Sequence, residues 1–207
     1  MTNKYKVIVL TYAATLLIIC TVYVLGTLYN ITYAKFTADP AKIYNASPFT
    51  GVLSNLGVLM WCVASSVCFF SGILLYRTNR KSALFLLVSG IFSSILLLDD
   101  LFMIHDYAIY LIMPFEHAQN IVLILYILLT FWYLFRFYKI LLSVHYYIFI
   151  TACFFLGMSL IIDMVFENSG LEYFIEDSFK FLGITSWMLF FTCASHQFLS
   201  KKITTKN

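Results

Sequence analysis

The chain alternates between long apolar runs and short polar breaks. Six runs are long enough to span hydrocarbon, which takes roughly 20 residues of helix. They predict helices over about 7–28, 52–76, 83–113, 117–140, 146–166 and 173–199. The breaks carry turn chemistry. Asp39-Pro40 and Ser47-Pro48 mark the loop over 29–50, and Asn168-Ser169-Gly170 separates the last two runs. Ser47 and Pro48 suit the N-cap and first position of the second helix. The third run is longer than a bilayer requires, so its far end must protrude or bend before Pro114. Short connections imply antiparallel neighbours. The fold class is an all-α integral membrane protein: a six-transmembrane-helix up-down bundle, one polytopic domain over residues 1–207.

Composition supports this reading. The chain is 62% hydrophobic and 11% charged, whereas a soluble domain is nearer about a quarter charged. The net charge of +3 gives no reason to expect nucleic acid as a partner. Membrane lipid is the expected surrounding, and an oligomer or a partner subunit is compatible with it. The five cysteines (Cys20, Cys62, Cys68, Cys153 and Cys193) lie inside apolar runs without CxxC spacing, so they read as small packing residues.

Charge placement predicts the orientation. With the N-terminus inside, Lys4, Lys6, Arg77, Arg80, Lys81, Arg136, Lys139, Lys201, Lys202 and Lys206 are all cytoplasmic, ten of the thirteen basic residues. This bias sets topology. Both termini are then cytoplasmic in a multi-pass protein of the cell membrane. All ten acids fall in the outer half, a segregation that the basic-residue rule does not itself require.

The stretch Leu96-Leu97-Leu98-Asp99-Asp100-Leu101-Phe102-Met103-Ile104-His105-Asp106 concentrates the candidate chemistry. Ionisable groups within a membrane are costly and call for compensation. Helical rise puts Asp99, Asp163 and Lys180 at about 24 to 27 Å above the inner edge. With Asp100 they form one layer beneath the outer surface. On an ideal helix, Phe92, Leu96, Asp99, Asp100, Met103, Asp106 and Tyr107 share the inward side of the third run, and His105 points away. Above the layer, an outward-facing polar cavity has a mouth of Asp106, Glu116, His117, Glu167, Glu176 and Asp177.

Three carboxylates against one ammonium leave a formal deficit, to be filled by protons or a cation. Asp99, Asp100, Asp163, Lys180, Asp106, Glu116, Glu167, Glu176 and Asp177 are therefore the expected ion- or substrate-binding residues. If a metal fills the deficit, Asp99, Asp100 and Asp163 are its ligands, and a divalent cation suits so many oxygens. Ion or small-solute binding and transport is the leading function, with a small cation or polar solute as cargo. The alternative is a membrane-embedded enzyme acting on an outer-leaflet lipid, with Asp99, Asp100 and His117 as candidate catalytic groups. A structural subunit of a larger complex is the third reading. Below the layer only Ser89, Ser93, Ser159, Thr185, Ser186 and aromatic residues offer polar atoms, a thin route for transport.

Overall fold

A computed structural model describes residues 3–204 except 33, 39, 113, 114, 116, 117 and 166–169. The described residues are almost entirely helical. Nine α-helices follow in order: α1 (Asn3–Leu28), α2 (Ala34–Thr37), α3 (Pro40–Ile43), α4 (Val52–Leu75), α5 (Arg80–Phe102), α6 (Ile109–Ile112), α7 (Ala118–Ser143), α8 (Tyr146–Val165) and α9 (Gly170–Thr204), with a π-helical turn (Ile104–Ala108) between α5 and α6. The chain packs as two units, residues 1–50 and 51–207.

In the first unit α1 exposes Leu10, Leu16, Leu17, Ile18 and Tyr23. Apolar residues on every side suit a helix immersed in hydrocarbon. It ends at Asn30, whose φ of 52° lets the amide of Ile31 reach back to the Gly26 carbonyl at 3.0 Å. Asn45 ends α3 the same way. Asparagine tolerates this left-handed conformation better than other side chains do.

Among the described residues of the second unit, four helices are long and apolar enough to cross a membrane: Val52–Leu75, Arg80–Phe102, Ile121–Ser143 and Tyr146–Asp163. These are the features of a helical membrane protein. The start of α4 differs from expectation. Ser47 and Pro48 do not begin it; they lie in a turn closed by Thr50 donating to the Ser47 carbonyl. Gly51, at φ 68°, then redirects the chain, and α4 begins at Val52. A residue with a Cβ would be strained there. Asn79 caps α5, accepting from the Ser82 amide at 3.2 Å.

Small residues bring the helices together. Gly183 on α9 meets Leu156 on α8 so closely that an added Cβ would lie 2.7 Å from its Cγ and 2.9 Å from its backbone nitrogen. Gly90 on α5 faces the ring of Phe69 on α4. The core between α4, α5, α7, α8 and α9 is aromatic. Trp187 touches Trp61, Phe92, Phe149 and Phe191 with ring centroids 5.2 to 5.7 Å apart. Edge-on and tilted arrangements of this kind add to the burial of such large side chains.

The third predicted helix is corrected in the structure. It bends far earlier than Pro114, which lies outside the described residues. α5 stops at Phe102, Met103 adopts φ 48° and ψ 50°, and the π-turn follows. Met103 and Tyr107, expected inward, are exposed. An ideal helix cannot be extended through this break, so every facing beyond Phe102 changes.

Candidate functional site

The adjacent carboxylates Asp99 and Asp100 are both largely withdrawn from the surface, at 7% and 8% side-chain exposure. Successive positions on a helix point about 100° apart, so the two side chains serve different neighbours. Asp99 faces α7 and the helix break. His105 Nδ1 lies 2.6 Å from its Oδ2. The backbone N–H of His105 donates to Oδ1 at 3.0 Å, and the Tyr126 hydroxyl donates to the same oxygen at 2.9 Å. Asp100 faces α4 and α9. Lys180 Nζ stands 2.6 Å from its Oδ1, and the Trp61 indole N–H donates to Oδ2 at 2.9 Å.

The local sequence explains the Asp99 cluster. The left-handed Met103 and the wider π-turn fold the chain back over the end of α5. That brings residue 105, which a continuous helix would point away, onto the carboxylate six positions earlier. The expectation that His105 faces away from Asp99 is thus corrected, and the break is the cause. π-turns of this sort recur at functional sites.

Lys180, half-buried on α9, also lines a shallow cleft with Ser54, Asp100, Asp177 and Phe181. Glu176 is half-buried one turn before Lys180. The expected three-carboxylate layer does not assemble as such. Asp163 is exposed on α8 and takes part in neither the Asp99 nor the Asp100 cluster. Asp99 and Asp100 therefore lack the third ligand that the metal reading required of it. Among the described residues, no group of three or more His, Cys, Asp or Glu side chains converges in a way that could hold a metal ion. Glu116, His117 and Glu167 lie outside the described residues, as does the side chain of Asp106.

Each carboxylate has its own cationic or cation-forming partner: a lysine for Asp100 and a histidine for Asp99. With His105 protonated the four groups sum to zero; with His105 neutral they carry one negative charge. Reading the sequence missed Tyr126 and Trp61 as well as His105. Both have apolar bodies with one polar tip, and such residues seek a partner when buried. Counting rise from Ala118 and Val52 places them at about 12 and 14 Å along their helices, where they reach the two carboxylates.

Elsewhere in the bundle several hydroxyls are engaged with the protein, whereas Ser195 Oγ is buried without a hydrogen-bond partner among the described residues. Ser89 pairs with Tyr133 at 2.7 Å, Ser93 accepts from the Trp187 indole at 3.0 Å, and Ser65 pairs with Ser94 at 2.6 Å. Thr185 donates to the Phe181 carbonyl and Ser186 to the Leu182 carbonyl. Ser159 is buried.

A family model described as "Domain of unknown function (DUF8692)" matches residues 7–194. The chain belongs to that family. No curated protein and no solved structure matches it.

Proposed function

We propose that this is a multi-pass membrane protein that binds and releases a proton at the Asp99–His105 pair, close to the outer membrane surface. The observation that carries the reading is the 2.6 Å contact between His105 Nδ1 and Asp99 Oδ2, with Tyr126 on the second oxygen. Imidazole is the side chain whose charge changes near neutral pH. A carboxylate beside it stabilises the charged form and fixes which ring nitrogen carries the proton. Asp100–Lys180 is the permanent pair beside the variable one.

The proposal includes six spans, both termini cytoplasmic, and a location in the cell membrane. α1 contributes an apolar stretch over Thr15–Leu28, and α9 runs for 35 residues with a buried face. Arg80, Arg136 and Lys139 lie over the rings of Tyr76, Phe137 and Tyr138. Paired basic and aromatic side chains at one end of the helices suit a membrane interface. Ion or solute transport coupled to this proton is the extended reading. Ser65, Ser89, Ser93, Ser94, Thr185 and Ser186 are committed to protein partners, so an inward route past them would require these helices to move apart.

A second reading draws on the same contact. An acid that orients an imidazole through Nδ1 is the arrangement of a general base. It favours an enzyme acting on an outer-leaflet lipid, and Tyr126 would then be a neighbouring acid.

Proton counting tests the first reading. Protein in weakly buffered detergent is taken from about pH 8 to about pH 5, the range in which imidazole titrates. Wild type should take up about one more proton per chain than His105→Gln. Equal uptake by the two proteins would contradict it.

A further inference from the structure

The described part of α7 is held at both ends and less firmly between them: at its outer end Ala118 is fully buried and Gln119 accepts from the Tyr110 hydroxyl at 3.4 Å. Its inner half places Tyr133, Phe137 and Leu141 in the aromatic core at 5% exposure or less. From Ile121 to Trp132 no residue is buried, and Ile124, Leu125, Leu128 and Phe131 are at least half exposed. In this outer stretch, Tyr126 donates its hydroxyl to Asp99 on α5. The same carboxylate accepts from the backbone and the ring of His105. One side chain therefore ties together three elements: the end of α5, the π-turn and the outer half of α7.

The turn that it holds is not a relaxed one. Met103 sits at φ 48°, a left-handed conformation that is unfavourable for a non-glycine residue. The surroundings must over-determine such a turn for it to persist, and two of the bonds that do so end on Asp99.

We infer that Asp99 is a latch: its charged carboxylate holds the middle of α7, through Tyr126, against the folded-back end of α5, and withdrawing that charge loosens the stretch of α7 between the ends held by Ala118 and by the core. The inference goes beyond the proton-binding reading, which places the proton on His105 and leaves the carboxylate charged. The groups facing the carboxylate are His105 from the π-turn and Tyr126 from α7, with Asp100 beside it on α5 and Lys180 from α9 bound to Asp100. A proton taken by the carboxylate itself removes its acceptor strength toward all three donors. A proton taken by the imidazole tightens the ion pair and keeps the latch shut. The stretch of α7 around Tyr126 is thus the element that a proton on the carboxylate, unlike one on the imidazole, would loosen.

Hydrogen–deuterium exchange at one pH, in lipid nanodiscs and with the native cysteines retained, reads the latch without reading proton binding. Asp99→Asn and Tyr126→Phe should each speed exchange in peptides from residues 103–132 by about tenfold, the loss expected for a hydrogen bond to a charged group. Peptides from 84–98 and 184–198 should exchange as in wild type. Asp100→Asn, which leaves both α7 and the π-turn untouched, should not reproduce the pattern. Unchanged exchange over 103–132, or a rise spread evenly over the whole chain, would overturn the latch. Proton uptake by the wild type would still stand or fall on its own titration.

Discussion

His105 and Asp99 meet twice: the ring nitrogen Nδ1 at 2.6 Å from one carboxylate oxygen, and the backbone N–H at 3.0 Å from the other. The double contact exists because the chain stops being an α-helix at Met103. A histidine held by its backbone as well as its ring keeps a fixed position relative to the acid. Such pre-organisation is what a site handling a proton requires, since each donor is in place before the charge changes.

The Asp100–Lys180 pair should be strongly coupled. Lys180→Met leaves a nearly buried carboxylate with Trp61 alone, and should cost about 1 to 3 kcal/mol, reduced from the fully buried case by the partial exposure of the lysine. Adding Asp100→Asn should recover part of the loss, whereas adding Asp163→Asn should not. A thermal-melt double-mutant cycle checks this, and additive losses for Lys180 and Asp100 would remove the pairing.

Helix packing makes a prediction with an internal control. Gly183→Ala forces a Cβ against the backbone of Leu156, which cannot rotate away. It should destabilise by about 1 to 3 kcal/mol even though alanine is the better helix former. Gly157→Ala meets nothing within 4 Å and should be neutral or stabilising. Melting temperatures that fall equally for both variants would contradict the close approach of α8 and α9.

Much of this arrangement was legible in the sequence, and the losses have one physical origin. The all-helical class and the approximate bounds of the four long apolar helices follow from the length of apolar runs, and Asp99, Asp100 and Lys180 stand out because charge inside such runs demands a partner. Depth along a straight helix follows from rise alone, so Lys180 could be matched to the Asp99-Asp100 level. Azimuth does not survive a break. The π-turn rotates everything after Phe102, which hid His105 and turned Met103 outward. Asp163, which counting set at the Asp99-Asp100 depth, is exposed on α8. Depth needs only counting; facing needs the packing of Gly183 on Leu156, which no periodicity reveals.

Orientation is open to a simple assay. With the N-terminus inside, a cysteine replacing Thr37 should react with a membrane-impermeant thiol reagent on intact cells, and one replacing Thr78 should react only after permeabilisation. Labelling is measured against the background of the five native cysteines. The reverse pattern would invert the proposed topology, and with it the placing of the site near the outer surface.

The proton on the Asp99–His105 pair is the centre of the account, and magnetic resonance of the imidazole nitrogens reads it directly. Protein with isotope-labelled histidine in lipid is followed between about pH 5 and pH 8, where imidazole changes charge, with His105→Gln identifying the signal. The account predicts one reversible titration of the His105 ring, with Nδ1 strongly hydrogen-bonded throughout, and a displaced titration in Asp99→Asn. A His105 signal that stays in one form across that range, or titrates identically without the Asp99 carboxylate, would contradict it.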